Sequence, residues 1–142
     1  MSANTDLIKK PYSQETYTHG ELKEFMRCAR DPKHFILNYC FIQHPTKGRM
    51  AFDLFDYQEE LINSYHNYRY SISLLPRQTG KSTCAAGYLL WYAMYMPDST
   101  ILIAAHKRDG AQEIMTRIRY MYENCADFAR AGVTEYNKGS ML

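Results

Sequence analysis

The strongest constraint on how this chain folds is the segment from Leu75 to Thr83, which reads LPRQTGKST. It follows a short apolar run that begins at Ile72, and it precedes a longer apolar run from Cys84 to Met96. A strand, a Gly-Lys-Ser turn and a helix in this order are the context of a phosphate-binding loop. The backbone N–H groups of such a loop converge on phosphate oxygens, and the helix N-terminus adds positive potential.

The residue types in this segment predict a site for a nucleotide and a metal ion. Lys81 would reach the β- and γ-phosphates of ATP, and the Ser82 hydroxyl would be a Mg²⁺ ligand. The segment departs from the pattern G-x-x-x-x-G-K-[ST] at one position, because Leu75 stands where the first glycine is expected. The alternative is an ordinary strand–turn–helix connection in which Gly80 makes the turn and Lys81 is only solvated. The predicted nucleotide-binding residues of the loop are Arg77, Gln78, Thr79, Gly80, Lys81, Ser82 and Thr83.

A second indication of a nucleotide site lies upstream, in Phe55-Asp56-Tyr57-Gln58. The side-chain amide of a glutamine carries both a donor and an acceptor, so Gln58 can hydrogen-bond the edges of adenine, with Tyr57 packed nearby. Alone, such a glutamine is typical of the solvent-facing side of an amphipathic helix. Together with the loop, Tyr57 and Gln58 predict the adenine end of an ATP site.

Composition sets modest bounds on this chain of 142 residues, which is the length of one domain. A net charge of +2 neither demands nor excludes nucleic acid. The cysteines are far apart and form no Cys-x-x-Cys pair, which predicts reduced buried thiols and not a metal cluster or disulfides. No positively charged and then apolar leader indicates secretion, and the longest apolar run is too short to span a bilayer. The cysteines are Cys28, Cys40, Cys84 and Cys125.

The pattern of apolar residues predicts an α/β domain over residues 19–142, preceded by a flexible arm over residues 1–18. Strands that alternate with helices indicate right-handed crossover connections. The predicted helices cover about 20–41, in two pieces that divide at Asp31-Pro32, and then 56–68, 81–95 and 109–124. The predicted strands cover 70–75, 100–105 and 133–136, and residues 44–48 form a predicted loop.

In this order, four segments resemble the large terminase subunit of tailed bacteriophages, most closely the T4-like branch. The segments are Tyr57-Gln58, 77–83, 101–107 (ILIAAHK) and 135–140 (EYNKGS). The resemblance covers about residues 20–142 and implies a P-loop NTPase core of the additional-strand type, preceded by helices. It also accounts for Leu75, since the family's loop lacks the first glycine and starts near an arginine, here Arg77. By resemblance, Arg77 and Lys81 are catalytic, with Arg77 as a cis arginine finger or a sensor of the γ-phosphate.

The resemblance implies a function in viral DNA packaging. The family couples ATP hydrolysis to the movement of DNA into preformed capsids, with ATP and Mg²⁺ as cofactors. The implied partners are double-stranded DNA, the capsid portal, the small terminase subunit and further copies in a ring, in the host cytoplasm during viral assembly and without a membrane. Lys107, Arg108, Arg117 and Arg119 offer a small basic patch, but the pattern is more typical of a solvated helix face.

The chain departs from the family after the loop. The next family motif is an apolar run that ends in Asp-Glu, in which the Asp orients Mg²⁺ and the Glu activates water. No Asp-Glu dipeptide occurs in this sequence, and neither the coupling motif nor a nuclease half is present. The resemblance therefore implies an incomplete core, the N-terminal portion of such a subunit, with poor ATP turnover by itself.

Two other functions remain open. A superfamily-two helicase or related translocase also has an upstream glutamine and a Thr-Gly-Lys-Ser loop. Helicases usually carry a Pro-Thr-Arg motif after the next strand, where this chain has Ala105-His106-Lys107, which favours the terminase. The other alternative is a non-enzymatic remnant or interaction module without retained activity.

Overall fold

Five α-helices and one two-stranded antiparallel sheet form the structure of residues 7–142, the part of the chain that the computed structural model describes. The protein is therefore a mixed α/β structure. The elements are α1 (His19–Arg30), α2 (Pro32–Tyr39), β1 (Phe41–His44), β2 (Gly48–Ala51), α3 (Asp56–Asn67), α4 (Lys81–Tyr95) and α5 (Arg108–Asn124), followed by a 3-10 turn at Asp127–Ala129.

The boundary between α1 and α2 is set by Asp31 and Pro32. The Asp31 carboxylate accepts hydrogen bonds from the backbone N–H groups of Lys33 at 2.9 Å and His34 at 3.1 Å. These are two of the N–H groups that a helix start leaves without a partner, and Pro32 has no N–H to satisfy. The structure confirms the two helices and the boundary that the sequence predicts.

Helix α4 lies at the centre of the core. Its side chains Cys84, Leu90 and Trp91 are buried, and the helix packs against α2, α3 and α5. The indole N–H of Trp91 donates to the backbone oxygen of Cys28 at 2.7 Å, which also attaches α1 to this helix. Full burial of a large apolar side chain contributes about 1.5–3 kcal/mol, so α4 supplies much of the stability. None of the described helices is long and apolar enough to cross a membrane.

The predicted strands at 70–75 and 100–105 are not formed. Neither segment joins a sheet within the described residues, and Ile72, Leu74 and Leu102 point their side chains into solvent. Ile103 does pack against the core, so residues 101–103 still alternate between the core side and solvent. A strand needs a neighbour to complete its hydrogen-bond ladder, and no other described segment supplies one here.

The only sheet among the described residues is a hairpin that the sequence analysis missed. Strands β1 and β2 pair with Ile42 opposite Met50, around the loop that was predicted at 44–48. The predicted strand at 133–136 is reduced to a single bridge between Tyr136 and Met141. Short hairpins are missed because their stability comes from packing, here against α5, more than from strand propensity.

The predicted arm at 1–18 falls partly outside the described residues, which begin at Leu7. Lys9 donates its backbone N–H to the Tyr122 hydroxyl at 3.2 Å, and its backbone oxygen accepts from the N–H of Val133 at 3.1 Å. The Leu7 backbone oxygen accepts from the Arg130 guanidinium at 2.7 Å. This part of the arm therefore contacts the chain around the end of α5. All four cysteines are buried free thiols, as predicted.

Replacing Asp31 with alanine should lower the free energy of unfolding by about 1 kcal/mol, because two N–H groups at the start of α2 lose their acceptor. Urea titration followed by circular dichroism measures the change. Asp31→Asn is the matched control, since its side-chain oxygen can still cap the helix, and it should lose much less. Equal losses in the two variants would show that the capping hydrogen bonds do not stabilise this boundary.

Candidate phosphate-binding site

The loop from Arg77 to Gly80 has the backbone conformation of a tight turn that leads into a helix. Gln78 and Gly80 have φ values of +65° and +73°, and Gly80 is the N-cap of α4. The backbone N–H groups of Gly80, Lys81 and Ser82 donate to no backbone oxygen among the described residues. The first turn of α4 therefore presents free N–H groups and the positive end of the helix dipole, which is an anion-binding arrangement.

Lys81 folds back over the loop. Its ammonium group donates to the Pro76 backbone oxygen at 3.0 Å, and the Thr79 hydroxyl donates to the same oxygen at 3.1 Å. The Lys81 side chain is exposed, and the ion pairs of residues 7–142 include neither Lys81 nor Arg77. A phosphate oxygen can replace Pro76 as the acceptor, with a charge-assisted hydrogen bond in place of a weaker one.

Gln58 attaches the start of α3 to the loop. It is only 4 % exposed, the one buried polar residue in the described part of the chain. Its Oε1 accepts from the Phe55 backbone N–H at 3.1 Å, and its Nε2 donates to the Thr79 backbone oxygen at 3.0 Å. A Cβ atom built on Gly80 would lie 2.6 Å from this Nε2. Only glycine fits at position 80, for reasons of both backbone conformation and space.

Tyr57 lies beside the same loop carbonyl. Its hydroxyl donates to the Thr79 backbone oxygen at 3.1 Å, and its ring stacks on Phe55 with centroids 5.8 Å apart and planes 7° apart. Both rings are exposed, Tyr57 by 41 % and Phe55 by 66 %. They form a flat aromatic surface next to the loop, on which a planar base can stack. Phe55 was not among the predicted site residues, although the sequence places this aromatic residue only two positions before Tyr57.

Arg117 is a loop contact that the sequence analysis did not find. Its Nη1 donates to the Thr83 hydroxyl at 3.0 Å, and its Nη2 lies 2.5 Å from the Glu113 carboxylate. Arg117 and Arg119 were interpreted as part of a basic patch on a solvated helix face. Arg119 donates to the backbone oxygen of Asn137 and Arg117 contacts the first turn of α4, so both have partners within the chain, although the Arg117 side chain is still 40 % exposed.

A cleft of about 320 Å³ lies next to this contact, between β1 and α5. Thr83, Glu113 and Arg117 line it, whereas residues 77–82 of the loop do not. Because Arg77, Gln78 and Lys81 are exposed, the candidate phosphate site is open to solvent. No sequence signal joins Arg117 to Thr83, because long-range partners on separate helices leave no local pattern.

The titratable groups at the start of α4 give the site a cationic character. Burial raises the pKa of the Cys84 thiol to about 11, so this thiol stays protonated at neutral pH and is no nucleophile. The carboxylate found near the first turn, Glu113, is paired with Arg117. The arrangement can hold an anion through N–H groups and Lys81.

The structure brings most of the predicted site residues together. Tyr57, Gln58 and Thr79 are joined by hydrogen bonds, and Lys81 closes on the same loop. Arg77 is exposed, and Ser82 lies half-buried in the first turn of α4. The adenine and Mg²⁺ contacts assigned to Gln58 and Ser82 stay predictions.

A scan against models of known protein families found no match for this chain. Assignment of a function therefore depends on the residues and contacts of the loop itself. Those contacts are local to α3, the loop and the first turn of α4.

The contact between Gly80 and Gln58 makes a specific prediction about stability. Gly80→Ala should cost more than about 1–2 kcal/mol, because it adds a steric contact to the strain of a left-handed residue. Gly48→Ala is the matched control, since Gly48 has a φ of +70° but open space around it, and it should show the strain alone.

Thermal or urea unfolding of the single variants and of Gly80→Ala/Gln58→Ala measures these costs. The double variant should lose less stability than the two single losses added together, because Gln58→Ala removes the group that the new Cβ meets. Additive losses would show that the Gln58 side chain does not buttress the loop.

Proposed function

We propose that this chain is the N-terminal ATP-binding segment of a viral DNA-packaging motor, a terminase large subunit, with a P-loop NTPase core. The observation that carries the proposal is the loop at Arg77–Thr83, whose free N–H groups and folded-back Lys81 stand at the start of a long buried helix. Two neighbouring elements hold this loop, α3 through Gln58 and α5 through Arg117. Such support fits a site that must keep its shape around a charged ligand.

The residues of the loop fit the triphosphate of ATP. The N–H groups of 77–82 would bind phosphate oxygens. The Lys81 ammonium group would release the Pro76 backbone oxygen and donate to the β- and γ-phosphates instead. A side chain at position 80 would collide with the Gln58 amide, so glycine lets Gln58 pack against the loop. The Ser82 hydroxyl, in the first turn of α4, would be the protein's ligand to Mg²⁺, which when bound neutralises charge on the phosphates.

The adenine end of the site would use the aromatic surface of Phe55 and Tyr57. Stacking on exposed rings is favourable for any base, so it contributes affinity without selectivity. Selectivity for adenine would come from Gln58, whose Nε2 now donates to the Thr79 backbone oxygen. Because the Gln58 amide would contact both the loop and the base, binding of adenine would change the hydrogen bond that supports the phosphate loop.

Catalysis would need one group beyond those that the loop provides. Arg77 is exposed at the loop and would stabilise charge on the transferred phosphoryl group. A carboxylate that activates water typically contributes about 10²–10⁴-fold, and the sequence has no Asp-Glu motif to supply one. We infer that this chain by itself binds ATP better than it hydrolyses it.

The partners of the proposed motor are double-stranded DNA, the capsid portal, the small terminase subunit and further copies in a ring. The exposed cations at the start of α5, Lys107 and Arg108, are available to such partners. Two cations and a net charge of +2 give no strong basic field, so tight duplex binding by this chain alone is not expected.

Lys81→Ala should weaken binding of a fluorescent ATP analogue by about tenfold or more, because a charge-assisted hydrogen bond contributes about 1.5–3 kcal/mol. A fluorescence titration with Mg²⁺ measures the dissociation constants. Lys107→Ala, an exposed lysine just before α5, is the matched control and should bind as the wild type does. Equal binding by the wild type and Lys81→Ala would reject the phosphate assignment.

The same titration with a GTP analogue tests whether the site selects adenine over guanine. Gln58→Ala should lose the preference for ATP over GTP. The ratio of the two dissociation constants is the quantity to compare, because Gln58 also supports the loop and its loss weakens both nucleotides. An unchanged ratio would leave Gln58 as a support of the loop with no part in base recognition.

A phosphate-release assay on the chain, with and without duplex DNA, tests the motor itself. We expect turnover at least about 10²-fold below that of a complete ATPase, and no stimulation by DNA, since the sequence has no Asp-Glu motif to activate water. Robust release that DNA stimulates and Lys81→Ala abolishes would show that the chain is a complete ATPase. No ATP binding at all would favour the non-enzymatic remnant.

A further inference from the structure

Helices α1 and α2 bring together three side chains of the kinds that bind transition metals. The ligand atoms of Glu24, Cys28 and His34 all lie within 4.8 Å of one another. Glu24 and Cys28 stand at i and i+4 on α1, so they share a face, and His34 is in the first turn of α2. The Asp31 cap, which fixes where α2 begins, brings the imidazole opposite the other two groups.

We propose that Glu24, Cys28 and His34 form a binding site for a divalent ion of the zinc class, with solvent as the fourth ligand. Zinc binds thiolate sulfur, imidazole nitrogen and carboxylate oxygen at about 2.0–2.3 Å, which places neighbouring ligands of a tetrahedron roughly 3.3–3.8 Å apart. The observed separations need only small side-chain movements to reach this geometry. A thiolate ligand favours zinc and cobalt over magnesium and calcium. The site is separate from the proposed ATP function and does not depend on it.

Without an ion, a hydrogen bond joins two of the three proposed ligands directly. The His34 Nε2 and the Glu24 Oε1 are 2.5 Å apart, in a short hydrogen bond between the two helices. A metal ion between these atoms would replace one link between α1 and α2 with another.

Access and charge balance both permit binding. Cys28 is fully buried, but the side chains of His34 and Glu24 are 11 % and 31 % exposed, so an ion can enter past Glu24. Cys28 is a free thiol, and binding transfers its proton to solvent as the sulfur–metal bond forms. The bound unit then holds one thiolate, one carboxylate and one dication, with no net charge.

Asn38 supplies the second observation that bears on the site. Its Nδ2 lies 3.2 Å from the His34 Nδ1 and donates to the His34 backbone oxygen at 2.8 Å. A histidine that binds metal through Nε2 carries its proton on Nδ1 and needs an acceptor there. Asn38 now places a donor at Nδ1, so a carboxylate at this position would supply the acceptor that the wild type lacks. An aspartate at this exposed position should therefore strengthen metal binding.

Cobalt titration of the untagged chain tests the site, because a thiolate ligand gives Co²⁺ a charge-transfer absorption that carboxylate and imidazole do not. We expect this band in the wild type and its displacement by Zn²⁺. Cys28→Ser should abolish the band, and His34→Gln should weaken cobalt binding by at least about tenfold. Asn38→Asp should strengthen it by about tenfold. The matched controls are Cys125→Ser and His19→Gln, which should titrate as the wild type does.

Absence of the band in the wild type at millimolar cobalt would overturn the proposal without any variant. The band would also argue against it if it persisted in Cys28→Ser or disappeared in Cys125→Ser. If Asn38→Asp and His34→Gln both left cobalt affinity unchanged, the Glu24–His34 contact would be a structural hydrogen bond between two helices and nothing more. Circular dichroism of each variant separates loss of the site from loss of the fold.

Discussion

The burial of α4 on nearly every side is the constraint on which the rest of the structure depends. A helix with Cys84, Leu90 and Trp91 on its faces has no stable surface to turn toward water, so other elements must surround it. Helices α2, α3 and α5 do so, and the Trp91 indole holds α1 through the Cys28 backbone oxygen. Because the same helix begins at Lys81, the packing of the core also fixes where the phosphate loop stands.

The loop in turn depends on contacts from both sides of α4. Gln58 reaches it from α3 and Arg117 from α5, and each contact is a hydrogen bond to a group within the loop or the first helical turn. The left-handed conformation of Gln78 is strained and persists only where its surroundings hold it, whereas Gly80 adopts the same conformation without a steric cost. Such strain, together with unpaired N–H groups, is typical of sites that bind a ligand.

The helices were predicted from the sequence, whereas the parallel sheet that the sequence also indicated did not form. Helical hydrogen bonds close within one segment, so a cap such as Asp31 and an apolar period suffice to place a helix. The segments at 70–75 and 100–105 carry the apolar residues of strands, yet a strand takes its hydrogen bonds from a neighbour. Ile72, Leu74 and Leu102 consequently face solvent, and the only pairing among the described residues is the hairpin of β1 and β2.

The sequence by itself determined the local features: the turn at Gly80, the start of α4 at Lys81, the division at Asp31 and the pairing of Tyr57-Gln58 with the loop as one candidate site. The first three depend on residues close together in the chain, whose conformational preferences act locally, and the fourth came from the order of two separate motifs. Only the tertiary structure decided that Arg117 holds Thr83, that Phe55 stacks on Tyr57, and that Glu24, Cys28 and His34 converge. Those contacts join separate elements, or depend on side-chain orientation, so their geometry is set by how the helices pack around α4.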